Sequence, residues 1–181
     1  MLEIVAETTG RDRDMALLVE WAGGNRGSGE ALLGLLLPGI HGLCLRILRS
    51  SADAEEAAQE TFARLCAKVA SGQLLENVRT WTATVAMNLC FDKRRQREKE
   101  SLVEDAGGVA APPSEPVHLA DLDVLRARFE ELPERYRLVL HYSFVLDLKP
   151  REIAEVMGLE DGSARVLLHR ALEALRRKVA P

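Results

Sequence analysis

Aromatic residues are scarce in this chain: two Trp, two Tyr and four Phe make up 4% of its 181 positions. With so few rings the core has to be built from Leu, Ala and Val, which suits packed helices better than a β-sandwich. Cysteine is sparse and odd in number. Cys44, Cys66 and Cys90 lie far apart without a C-x-x-C pair, and each sits in an apolar helical stretch, where a free thiol behaves as a small buried hydrophobe. His41 lies one helical turn from Cys44, but the four His residues are scattered and supply no second ligand nearby, so neither a metal site nor a cofactor is expected. A phosphate-binding glycine loop is missing, as is a nucleophile with a base at a recognisable spacing; the expectation is a protein that is not an enzyme. No charged-then-apolar leader with a small-residue cleavage site opens the chain. The longest apolar run, ALLGLLLPGI, is about half the length of a bilayer span. These absences predict a cytoplasmic protein with no membrane insertion. A surplus of positive charge is lacking too: 24 Lys and Arg stand against 28 Asp and Glu, a formal net charge of −4. That excludes a uniformly basic coat but not a local basic patch.

What is present is 47% hydrophobic and 29% charged residues, a composition that folds. Residues 100–118, beginning ESLVEDAGGVAAPPSEPV, combine Gly-Gly, Pro-Pro and acid and cannot hold a helical period. They read as a flexible linker between two small helical domains, residues 14–99 and 119–181, after an N-terminal extension of residues 1–13. The first domain divides into helices at GGNRGSG, at Pro38-Gly39, at Ser50-Ser51 and at SGQ; the second at Pro133, Pro150 and Gly158. The two halves do not resemble each other, and no internal repeat is visible.

In DAEEAAQETF, Asp53 is placed as an N-cap with Glu56 three residues on. Along the helix that follows, Ala57, Ala58, Phe62 and Leu65 recur at helical spacing and turn inward, leaving Glu55, Glu56, Gln59, Glu60 and Arg64 outside. Such a face is either solvated or meets a partner. The stretch TWTATVAMNLCFDKRRQREK carries an apolar stripe of Trp81, Val85, Ala86 and Leu89, then Lys93, Arg94, Arg95, Arg97 and Lys99 within about two turns. One or two cations suit the negative end of a helix; five make a positive end able to engage phosphates.

In LPERYRLVLHYSFVL the apolar positions 136, 139, 140 and 144 predict a buried helix. KPREIAEVMGLEDGSARVLLHRALEALRRK then follows a helix-turn-helix pattern. Pro150 opens a short helix with Ile153 and Met157 inward, Gly158 supplies a left-handed turn, and a second helix turns Ala164, Leu168, Ala171, Leu172 and Leu175 inward. Ser163, Arg165, Val166, His169 and Arg170 are left outward, on the helix that enters the major groove in DNA-binding versions of the motif, while Leu167 leans to the core. Asp161 or Ser163 caps this helix, with Glu160 beside its positive end.

RILRSSADAEEAAQETFARLC, VRTWTATVAMNLCFDKRRQR and LPERYRLVLHYSFVLDLKPREIAEVMGL, in that order and spacing, resemble the bacterial RNA polymerase sigma factors of the extracytoplasmic-function (ECF) group. These sigma-70 proteins carry regions 2 and 4 only. The resemblance implies an all-α fold of a region 2 bundle and a region 4 helix-turn-helix, joined by the linker. It implies that Asp53, Glu56, Gln59 and Glu60 dock on the clamp helices of the polymerase's largest subunit, with the flap region as a second contact. Arg79, Trp81, Asn88, Lys93, Arg94, Arg95 and Arg97 would serve −10 recognition and opening. Ser163, Arg165, Val166, His169 and Arg170 would read the −35 duplex. Promoter DNA, core polymerase and an anti-sigma factor are the implied partners.

The chain departs from the family pattern at GLLLP, which leaves an apolar surface at Leu35 to Leu37, and at Thr84 and Met87, where basic residues are common. It departs again at Val166-Leu167, where Ser-Arg is usual. Two other readings therefore stand beside it: a sigma-like protein that sequesters an anti-sigma factor without opening promoters, and a stand-alone helix-turn-helix regulator.

Overall fold

The computed structural model describes residues 10–73, 75–101, 126–160 and 162–179. Helices α1 (Gly10–Ala22), α2 (Arg26–Leu48), α3 (Ser51–Ala70) and α4 (Val78–Ser101) form a bundle around α2. After helical residues 126–130 come α5 (Glu134–Phe144), α6 (Pro150–Met157) and α7 (Ser163–Val179). No strand occurs among the described residues. The expected boundary between residues 13 and 14 falls inside α1, and most of the expected linker lies outside the described residues.

α2 corrects the expected break at Pro38-Gly39, because it runs unbroken through both residues. Proline removes one N–H and crowds the carbonyl four residues back, a cost of about 3 kcal/mol. Here that residue is Gly34, exposed like Pro38 itself. Against the cost stand Leu32, Leu36, Ile40, Leu43 and Ile47, each at most 4% exposed. A buried side chain of this kind contributes about 1.5–3 kcal/mol, so tertiary burial wins over local propensity. By length and composition α2 is also the one described helix able to cross a bilayer. Those same buried residues make it the core helix of the bundle.

Arg49, in the left-handed conformation, ends α2, and Ser50 starts α3 at once. The cap is Ser50 and not Asp53: its side chain accepts the Asp53 N–H at 3.4 Å, which puts Asp53 in the first turn. Cys44 and Cys90 are buried as expected, and a hydrogen bond with Cys44, together with burial, holds the Cys90 thiol well above its ordinary range. Cys66 is exposed, contrary to expectation, because it falls on the outer side of α3.

In α5 the expected stripe is also corrected. Val139 and Leu140 are buried, but Phe144 is 67% exposed, and Arg137, Leu138, His141 and Tyr142 are buried in its stead. The helix is enclosed on more than one side because it lies between α7 and α2. α6 and α7 meet as expected around Ile153, Ala154, Ala164 and Ala171, all at most 2% exposed, with Gly158 left-handed at φ 62°. Met157 is half-buried, Leu167 is buried, and Asp161 lies outside the described residues.

The two halves share one core. Ile40, Leu43, Ala83, Ala86 and Cys90 of the first pack with Leu138, Val139, Tyr142, Leu146 and Ile153 of the second. Glycine makes the seat possible: a Cβ on Gly39 would stand 2.5 Å from Leu146 Cδ2. Beside it the His141 ring nitrogen Nε2 lies 2.9 Å from the Gly39 carbonyl and donates to it. Polar pairs rim the contact, Arg46 with Glu130 at 3.3 Å and Arg94 with Glu134 at 2.9 Å.

Burial, with a smaller push from Arg46, lowers His141 to about 4, although the Gly39 carbonyl partly opposes the shift. The fold therefore holds the neutral ring while the unfolded chain titrates near 6.5. Stability from this group is complete above pH 6.5 and lost as pH falls toward 4, by up to about 3 kcal/mol. Denaturant melts from pH 7 to 4.5 should fall more steeply for the native chain than for His141→Gln, which keeps a donor but does not titrate.

Candidate nucleic-acid interface

The outer face of α3 presents Glu55, Glu56, Gln59 and Glu60, all exposed, with Asp53 half-buried at its start. Their partners are close. Lys93 Nζ lies 2.7 Å from Glu56, Arg97 pairs with Asp53, Arg64 with Glu60 at 2.7 Å, and Gln59 donates to Glu55 at 3.1 Å. Two of these pairs, Lys93 with Glu56 and Arg97 with Asp53, join the acidic face of α3 to the basic end of α4. Exposed pairs of this type contribute about 0–1 kcal/mol, so a macromolecular partner can replace them.

The helical period splits the basic end of α4. Asn88, Asp92, Arg95 and Lys99 recur at three- and four-residue steps and are all exposed, forming one outward stripe. Lys93 and Arg97 turn back to α3. Arg94 stacks on Phe91, 4.7 Å from the ring centroid, and pairs with Glu134 of α5. Asp92 sits in the stripe and pairs with Arg95 at 3.2 Å. Trp81 is half-buried beside the cluster of Leu18, Leu36, Leu65 and Val78, with Lys68 Nζ 5.7 Å from its ring.

Arg79, at the start of α4, is not free. It pairs with Asp14 of α1, which is 1% exposed, and donates to the Leu146 carbonyl at 3.2 Å. The residue before α4, Asn77, caps it by accepting the N–H groups of Arg79 and Thr80 at 3.1 and 3.2 Å. The amide of Asn77 donates to Glu152 of α6 at 2.6 Å, and Arg11 of α1 reaches the same oxygen at 3.0 Å. Sequence reasoning missed Asp14, Asn77 and Glu152. An Asn directly before a helix is a capping signal, but its pairing across 75 positions leaves no local trace.

On α7, Ser163, Arg165, Val166, His169 and Arg170 are all exposed on one side, Val166 at 51%. His169 Nδ1 lies 3.7 Å from Glu173. Arg151, in the first turn of α6, is exposed as well, where the first helix of such a motif crosses the backbone of a duplex. Among the described residues no three His, Cys, Asp or Glu cluster closely enough to hold a metal. The apolar surface expected around Leu35 and Leu37 is present, at 39% and 47% exposure, with Leu36 buried.

The family models for sigma-70 region 2 and sigma-70 region 4 match residues 32–100 and 122–175, together more than half of the chain. The chain is 27% identical over 155 residues to the ECF RNA polymerase sigma factor SigW of Bacillus subtilis, covering 77% of this chain and 82% of that one. It is 28% identical over 137 residues to the ECF sigma factor SigL of Mycobacterium tuberculosis, with coverages of 73% and 77%. In fold it is similar to the sigma factor RpoE of Bartonella quintana, solved with the anti-sigma factor NepR. That match has a TM-score of 0.65 at 21% identity, over 83% of this chain and 95% of that one. It is also similar to CnrH, solved with the cytosolic domain of CnrY, with a TM-score of 0.62 at 18% identity and coverages of 92% and 96%. With regions 2 and 4 matched in order on two packed helical units, this chain belongs to the sigma-70 family, in its extracytoplasmic-function group.

Proposed function

We propose that this sigma factor binds core RNA polymerase through α3, recognises and opens the −10 element with α4 and the segment before it, and reads the −35 duplex with α7. The observation that carries the reading is the recognition helix: all five side chains expected to face DNA are exposed on one side of α7, backed by the buried Ala164, Leu167 and Ala171. Docking on polymerase falls to Asp53, Glu56, Gln59 and Glu60. Of the expected −10 residues, Asn88 and Arg95 lie on the outward stripe of α4, and Arg79, Trp81, Lys93, Arg94 and Arg97 join them once their present contacts are exchanged. Flipping a base costs a few kcal/mol and has to be offset by a pocket and backbone contacts; the segment before α4 would supply the first and the basic end of α4 the second. The subunit works where polymerase works, in the cytoplasm, and catalyses nothing itself.

The decisive experiment reconstitutes the purified chain with core polymerase and maps transcript starts on fragmented genomic DNA. A shared pair of upstream elements at those starts supports the reading; no start above the core-only background sinks it. The −35 part has its own test. Val166 meets a thymine methyl while Arg165 reaches a base edge, so Arg165→Ala should weaken −35 protection in footprints by about 1–3 kcal/mol. Unchanged protection would remove Arg165 from the reading face.

An anti-sigma factor is the remaining proposed partner. Leu35, Leu37, Phe144 and Val145, exposed at 39–67%, leave apolar surface on both halves that such a protein would cover. The sequestering alternative differs in one outcome, capture of an anti-sigma factor with no binding to core polymerase.

A further inference from the structure

Cys44 of α2 and Cys90 of α4, far apart in the chain, meet in the core, both at 0% exposure. The approach is close because α4 offers small buried side chains there. Ala83, Ala86 and Cys90 pack in one cluster with Ile40, Leu43 and Cys44 of α2. The two thiols share a hydrogen bond, Cys90 donating to Cys44. That bond lowers the Cys44 pKa against the opposing push of burial, and together with burial it raises Cys90. One sulfur is thereby the better nucleophile, and the other keeps its proton. Tyr142 of α5 is enclosed in the same cluster, near enough to both sulfurs to feel their charge. Its hydroxyl is buried without a hydrogen-bond partner, an uncommon state that calls for one. A thiol that merely fills space needs neither a second thiol nor a polar group beside it.

We propose that Cys44 and Cys90 are an oxidation site that hydrogen peroxide closes into an intrachain disulfide, with Cys44 the attacking thiol and Cys90 the resolving one. Peroxide is little larger than water, and its hydroxyl groups suit the unpartnered Tyr142 hydroxyl, so brief local openings of the core admit it where a bulky reagent is shut out. The Cys44 thiolate attacks one peroxide oxygen, the O–O bond breaks and hydroxide leaves, which makes Cys44 a sulfenic acid. The Cys90 sulfur then attacks the Cys44 sulfur; the S–S bond forms and the second oxygen leaves as hydroxide. The two thiol protons turn both hydroxides into water, so the thiols lose two electrons and the peroxide gains them. Sulfurs already in hydrogen-bond contact need only a short approach to reach a disulfide bond of about 2.0 Å. The product ties the core helix α2 to α4, and it forms whether or not α4 engages the −10 element.

The test treats the full chain, folded, with hydrogen peroxide, then quenches it, unfolds it and alkylates it with N-ethylmaleimide before peptide mass spectrometry. Cys66→Ser removes the exposed thiol and leaves the pair intact. In that variant the intact mass should fall by two hydrogens, a linked Cys44–Cys90 peptide pair should appear, and maleimide should find no thiol until dithiothreitol restores both. The native chain should give the same cross-link. In Cys90→Ser the reaction should stop at Cys44, as a sulfenic acid that dimedone labels; in Cys44→Ser, Cys90 should stay a thiol at the same peroxide exposure. Circular dichroism checks that these variants fold, and should a core serine unfold the chain, the native and Cys66→Ser arms still decide the matter. Both thiols of Cys66→Ser alkylated after peroxide would overturn the site, and so would a cross-link that appears only when urea is present. Dimedone on Cys90 in place of Cys44 would overturn the assignment of roles.

Discussion

Asp14→Ala is expected to lower folding stability by about 3 kcal/mol, because it strands the Arg79 guanidinium beside the site of a carboxylate that is 1% exposed. Arg79 keeps the Leu146 carbonyl and is 19% exposed, so water relieves part of the loss, and the value belongs at the lower end for a broken buried pair. Asp14→Asn keeps an acceptor and should cost clearly less. The denaturant midpoints of the two variants decide the matter. Equal, small shifts in both would mean that Asp14 merely fills space. The result bears on function as well: Asp14 lies ahead of the matched region 2, which begins at residue 32, yet it holds the residue that opens α4.

The second large effect is expected on the acidic face of α3. Replacing Glu56, Gln59 and Glu60 together by alanine should weaken core polymerase binding by about 2–4 kcal/mol, roughly thirty- to a thousandfold, as the loss of a few central interface residues does. The fold should tolerate it. All three are exposed, their partners Lys93, Arg64 and Glu55 are surface contacts of small value, and alanine favours a helix. Competition binding to core polymerase measures the loss, and an unchanged thermal melt shows that it belongs to the interface. Wild-type affinity in this variant would return the face to solvent.

Much of this arrangement was legible in the chain because it is local. The outward set on α3 and the outward set on α7 follow from the 3.6-residue period alone, and both are exposed as that period requires. Gly158, the left-handed hinge of the helix-turn-helix, needs no Cβ and nothing beyond its neighbours to be recognised. The same logic failed at α5, where positions 136, 139, 140 and 144 imply one buried face. The helix has neighbours on two sides, so His141 and Tyr142 are enclosed while Phe144 is left in solvent.

Sequence by itself determined the all-α class, most of the helices and the outward sets on α3 and α7, since periodicity and turn chemistry act over a few residues. Tertiary structure alone decided that α2 passes through Pro38, where burial of five large side chains outweighs one lost hydrogen bond. It alone decided, too, that Arg79 is held by Asp14 and that Glu152 meets Asn77 and Arg11. Those partners stand 65, 75 and 141 positions apart, and a pairing at that distance is set by how two cores close on each other, not by any pattern along the chain.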